Sequence, residues 1–88
     1  MRIKKELIKR EIAGDVILVP VGQTVLENNG LFLLNGISGR IWELLQTGKS
    51  TEEVAAVLVE EYDAPAQVIR HDLEEFLDEL VTHGILER

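Results

Sequence analysis

GLFLLNGISGRIWELL, residues 30–45, decides how this chain is read. Leu31, Phe32, Leu33 and Leu34 are four consecutive apolar residues, too few for a helix of their own and bounded by turn-forming residues, so they predict a short strand. Asn28, Asn29 and Gly30 supply the turn before it. Asn35 is placed to cap a helix after it, its side-chain oxygen accepting from a free amide of the first turn. Ile37, Ile41, Leu44 and Leu45 then recur at helical spacing, with Trp42 on the flank. A strand this apolar, fed straight into a helix, either lies inside a sheet or forms an edge kept for a partner. Choosing between those two is the functional question.

Working outward toward the N-terminus, Gly22 to Gly30 reads as a loop, with Val25 and Leu26 tucked under it. Before it, Val16 to Val21 is β-prone and almost wholly apolar, and Pro20 must fall near a strand end or face an unpaired edge because it has no amide to donate. Glu6 to Ala13 alternates loosely, with Leu7, Lys9 and Glu11 on one side and Ile8, Arg10 and Ile12 on the other. Gly14-Asp15 between the two runs predicts a hairpin with a tight turn.

Toward the C-terminus, the first helix covers about Gly36 to Gln46 and stops at Thr47-Gly48-Lys49. Ser50 to Glu53 has the spacing of a capping box, which opens a second helix running to about Tyr62 and burying Val54, Val57 and Leu58. Pro65 suits the first turn of a third helix, where its missing amide costs nothing. Ile69, Leu73, Phe76, Leu77 and Leu80 form one apolar stripe along that helix. Gly84 is a left-handed stop beside His83, and Ile85 and Leu86 are expected to fold back onto the core. The expected fold class is α+β and winged-helix-like: a three-stranded antiparallel sheet followed by three helices, βββααα, in a single domain over residues 1–88. A short link at Asp63-Ala64 makes the last two helices a helix-turn-helix corner.

Composition narrows the function. The chain has 88 residues, 45% of them hydrophobic, enough for one small core. Without cysteine there is neither a disulfide nor a thiolate metal site. No apolar run is long enough to span a membrane and no secretory signal is evident, so a cytoplasmic location is expected. The net charge of −7 is unevenly spread. Residues 1–12 hold five cations against two acids, whereas residues 51–83 hold ten acids against Arg70 alone. The C-terminal half therefore repels phosphate backbones and favours basic or neutral partners.

No catalytic or metal constellation stands out. His71 and His83 point in different directions on the third helix, and the adjacent pairs Glu52/Glu53, Glu60/Glu61 and Glu74/Glu75 diverge by about 100° on a helix, so no acid/base dyad results. Gly36 to Gly39 lacks the lysine of a phosphate loop. The expectation is a non-enzyme without cofactor or metal. A winged-helix DNA-binding protein is the rival reading, because the topology invites it. Against it, the third helix offers Asp72, Glu74, Glu75, Asp78 and Glu79 where base and phosphate readers belong, with Gln67 and Arg70 alone for that task. A dimerisation module using the same strand is a third reading. What remains is peptide binding by strand addition along Leu31 to Leu34, with Val68, Arg70 and Val81 of the third helix as further candidates.

The order and spacing of several pieces resemble the PqqD-like family across nearly the whole chain. They are Leu34, Asn35, Gly39, Ile41, Trp42, Leu44 and Leu45; then Ser50 and Glu53; then Asp72, Leu73, Phe76, Leu77, Leu80 and Gly84 to Leu86. Val19 to Gly22 and Asn29-Gly30 also look like free-standing members. That resemblance implies a recognition element for ribosomally made, later modified peptides. Such a domain holds a precursor's leader peptide between its third strand and third helix and presents it to a modifying enzyme, often a radical SAM protein. Carried onto this chain, the cleft lies between Leu31–Leu34 and the outward side of the helix from Val68 to Val81. Trp42 and the Val19-Pro20-Val21 segment depart from what the pyrroloquinoline quinone pathway member itself would show, which leaves the pathway open.

Overall fold

The computed structural model describes residues 1–5, 7–20, 32–34 and 36–88. Its elements are β1 (Arg2–Ile3), β2 (Leu7–Ile12), β3 (Asp15–Pro20), β4 (Phe32–Leu34), α1 (Gly36–Gln46), α2 (Thr51–Glu61), α3 (Ala66–Thr82) and β5 (Leu86–Glu87). The chain is α+β, three helices with small antiparallel sheets. The Gly22–Gly30 loop, the Asn28–Gly30 turn, the Asn35 cap, Glu6, Val21 and Leu31 all lie outside the described residues.

The expected order βββααα is incomplete. β2, β3 and β4 form one sheet in that order, and β1 pairs with β5 in a second, two-stranded sheet. Arg2 lies opposite Glu87 and Ile3 opposite Leu86, so the two chain ends close on each other. Two-residue strands carry no periodic signal, and only packing of the termini creates them. Ile85 and Leu86 do fold back, with 0% and 2% exposure.

The hairpin is displaced by one residue from its expected turn. Ile12 pairs with Asp15, leaving Ala13-Gly14 as a two-residue loop. Both have positive φ, 53° and 86°, the signature of a type I′ turn whose twist matches the flanking strands. Pro20 is the last residue of β3, where its lack of an amide is tolerated. On β2 only Leu7 is buried, and Lys9, on the same side of the strand but exposed, reaches Glu43 of α1 at 3.0 Å. Ile8 and Ile12 are exposed on the outer side.

The helices begin and end as local chemistry dictates. Ser50 Oγ accepts from the Glu53 amide at 3.2 Å, and Glu53 Oε1 accepts from the Ser50 amide at 3.0 Å, completing the capping box of α2. Pro65 sits one position earlier than expected: it is the N-cap of α3, and its carbonyl accepts from the Val68 and Ile69 amides. At the other end the Ile85 amide donates to Leu80 and the Gly84 amide to Val81, a Schellman motif around Gly84 at φ +71°. Trp42, Ile41, Leu58, Leu77, Leu80 and Leu18 are fully buried and join the layers into one core. Val57 is only half-buried at the margin of that core.

Candidate functional site

β4 pairs antiparallel with β3 and ends the order of its sheet. Phe32, Leu33 and Leu34 stand opposite Leu18, Ile17 and Val16. Among the described residues no further strand pairs with β4. Among the described residues the sheet order ends at β2 on its other side, and the two end strands are built differently. β2 carries Lys9, Arg10 and Glu11 within six residues, the charged protection that natural edges use against unwanted pairing. β4 is Phe-Leu-Leu and carries no charge.

The candidate side chains do not form one patch. Leu34 is 5% exposed and its side chain is spent in the core, so only its backbone is offered. Leu31 lies outside the described residues, as do the side chains of Phe32 and Leu33. Val68 and Val81 are exposed, at 48% and 40%, on either side of the buried stripe of α3. Thirteen residues of helix put them ~140° apart around the axis and ~20 Å apart along it. Arg70 falls on the Val81 flank by the same period.

Ion pairs mark that flank. Arg70 donates to both carboxylate oxygens of Glu52, at the start of α2, at 3.2 and 2.9 Å. Arg88 donates to both oxygens of Glu74 and to Asp78. Hydrogen bonds from these arginines hold the Glu52 and Glu74 carboxyls below the ordinary carboxylate value and raise the guanidinium values in turn. Arg70, a sequence candidate for ligand binding, is thus committed to joining α3 to α2. The Val68 flank carries Asp72, Glu75 and Glu79 by the helical period, and Glu75 is paired with His71 at 3.2 Å. The outer face of α3 is therefore acidic on both flanks.

Among the described residues no group of three or more His, Cys, Asp or Glu side chains is placed to hold a metal ion, and no helix is long and apolar enough to cross a membrane.

These features define a small α+β fold in which, among the described residues, an uncharged strand ends the sheet order and the third helix has an acidic outer face. The chain belongs to the family described as Coenzyme PQQ synthesis protein D (PqqD), whose profile matches residues 16–86. No curated protein matches the sequence. Among solved structures, it is similar to TbiB1 in complex with the TbiA(beta) leader peptide, with a TM-score of 0.77 and 29% identity over 99% of this chain and 95% of the other. A lasso peptide synthetase B1 complexed with the leader peptide shares the fold, with a TM-score of 0.75 at 20% identity over 99% and 96%.

Proposed function

We propose that this protein is a non-catalytic peptide carrier that binds the leader of a ribosomally made precursor by strand addition at β4 and presents it to a modifying enzyme. The observation that carries this reading is the position of β4, the uncharged strand at the end of its sheet. In this reading the domain is winged-helix-like and α3 serves as the second wall of the peptide cleft. Family membership and the leader-bound neighbours support the same reading.

Magnitudes agree with it. A five-residue strand adds about four net hydrogen bonds at roughly 0.5–1.5 kcal/mol each. One or two apolar side chains buried from the peptide add about 1.5–3 kcal/mol apiece. After the ordering cost, the sum is compatible with micromolar binding, around −8 kcal/mol. Of the two flanks of α3, the one bearing Val81 and Arg70 is tied to α2, so the Val68 flank is the wall we assign to the peptide. Its carboxylates favour a leader with a basic residue at that face. The partner implied by the sequence resemblance is a radical SAM enzyme; a lasso-type synthetase is the second reading, suggested by one leader-bound structure of the same fold.

Titrating the isotope-labelled protein with the leader encoded beside it tests the proposal. Amide shifts concentrated on β4 and the first half of α3 are expected. Val68→Glu weakens binding about tenfold or more, through a charge placed in an apolar contact, whereas Val81→Glu leaves it within about twofold. Shifts confined to the basic N-terminus, or binding to duplex DNA that falls steeply with salt, overturn it in favour of the nucleic-acid reading. Co-purification with each candidate enzyme separates the two partner classes.

A further inference from the structure

Among the described residues β2 ends its sheet order on the side away from β4. Its backbone groups divide into two sets. The Ala13-Gly14 loop closes on Ile12 and Asp15, a pair that exchanges both backbone bonds in a hairpin of this kind. By alternation Ile8, Arg10 and Ile12 bond to β3, and the amides and carbonyls of Leu7, Lys9 and Glu11 turn away from it. Pro20 agrees with this assignment, because it stands opposite Leu7, where no amide is exchanged.

The side chains of the same strand also divide by parity. Ile8 and Ile12 are 44% and 54% exposed on the outer side, with exposed Arg10 between them. That leaves apolar area in water that a second surface would cover. On the other side Lys9 and Glu11 stand two residues apart with opposite sign. Lys9 holds Glu43 at 3.0 Å, both side chains being partly exposed, and its ammonium has further donors to give. Glu11 is exposed and forms no ion pair among the described residues.

We propose that β2 pairs antiparallel with β2 of a second copy of this chain, about a two-fold axis at Arg10. The run Ile8-Lys9-Arg10-Glu11-Ile12 is self-complementary in that register alone. Lys9 faces Glu11 of the second copy and Ile8 faces its Ile12, and the symmetry repeats both pairs. Centring on Lys9 instead sets that lysine against itself and Leu7 against Glu11; centring on Glu11 opposes two carboxylates. Charges that reject a foreign strand thus admit one partner. Lys9 and Glu11 supply the outward amides and carbonyls, so the charge-matched pairs are also the hydrogen-bonded ones. An open groove of about 500 Å³, bordered by Lys4, Lys5, Leu7 and Ile8, gives room at the end of β2 where the second copy's Ala13-Gly14 turn arrives. Arg10 meets its own copy across the axis, a like-charge pair that opposes association. Contact along one strand is also far below the roughly 800 Å² per partner of a stable interface, so the dimer forms only at high concentration. It keeps β4 at both ends of the joined sheet, and its fate is independent of the leader-binding reading.

Sedimentation equilibrium of the full-length protein at rising concentration tests the proposal, and a monomer–dimer equilibrium is expected. Glu11→Lys and Lys9→Glu, each checked for its fold by circular dichroism, should weaken self-association about tenfold or more, because each sets like charges opposite one another on both sides of the axis. Mixed in equal amounts, the two variants should regain the parent's affinity to within about threefold, since the lysines of one then face the glutamates of the other. A protein that stays monomeric at every concentration overturns the proposal. So does a dimer that Glu11→Lys leaves intact, which is then seated elsewhere, or a mixture of the folded variants that does not associate.

Discussion

Ala13 holds a left-handed backbone, φ 53°, that L-residues other than Gly and Asn adopt at a cost of roughly 1–2 kcal/mol. It does so because the Ile12–Asp15 register requires a type I′ turn. Ala13→Asn, which places Asn-Gly in the loop, should raise the free energy of unfolding by about 0.5–1 kcal/mol in urea denaturation, with leader affinity unchanged. Ser50 works in the opposite sense. Ser50→Ala removes the acceptor for the Glu53 amide and should cost about 0.5–2 kcal/mol in the same measurement. The capping box was plain in the sequence because Ser50 and Glu53 are three residues apart and interact locally. The Ala13 turn was not, since Gly14-Asp15 is an equally good turn dipeptide and only the pairing of β2 with β3 chooses between them.

At the scale of the element, the question is which amides of β4 face outward. In an antiparallel ladder, successive residues direct their backbone groups to alternate sides, so Leu33 and its neighbour Phe32 differ in parity. One of Leu33→Pro and Phe32→Pro removes an amide turned toward β3, and the other removes one turned outward. The outward substitution should weaken leader binding by well over tenfold with little change in circular dichroism; the inward one should destabilise the sheet itself. Calorimetric titration of both variants checks this. If neither folded variant loses affinity, strand addition at β4 is wrong. The strand was legible from four consecutive apolar residues between turn signals. Its place at the sheet edge was not, because an interior strand and an edge strand of this length share one pattern.

Across the whole molecule, ion pairs knit the elements. Arg40 of α1 donates to Glu61 of α2 through Nε at 2.8 Å and Nη2 at 2.6 Å. Those bonds hold the Glu61 carboxyl below its ordinary value of 4.5, as Arg70 does for Glu52 and Arg88 for Glu74. A carboxyl whose value is depressed by folding contributes stability above its unfolded value and loses it as pH falls through the folded one. Glu61→Gln should therefore lower the Tm near neutral pH, and the gap from the parent protein should close as the pH falls below the ordinary carboxylate range. A gap that persists in acid assigns the loss to packing. The pairs are exposed, and added salt should narrow the same gap.

The sequence by itself determined the elements that rest on neighbours in the chain: three helices, the capping box, the Gly84 stop, the apolar stripe of α3 and the acidic surface around it. It also carried the family likeness, because that likeness is an order of local motifs. Tertiary structure alone decided how distant residues meet. It paired the chain ends as β1 and β5, set β4 at the end of its sheet order, and brought Arg70 to Glu52. The physical reason is one of range: caps, turns and periodicity act within about four residues, whereas edges, ion pairs and clefts arise only when the core brings remote segments together.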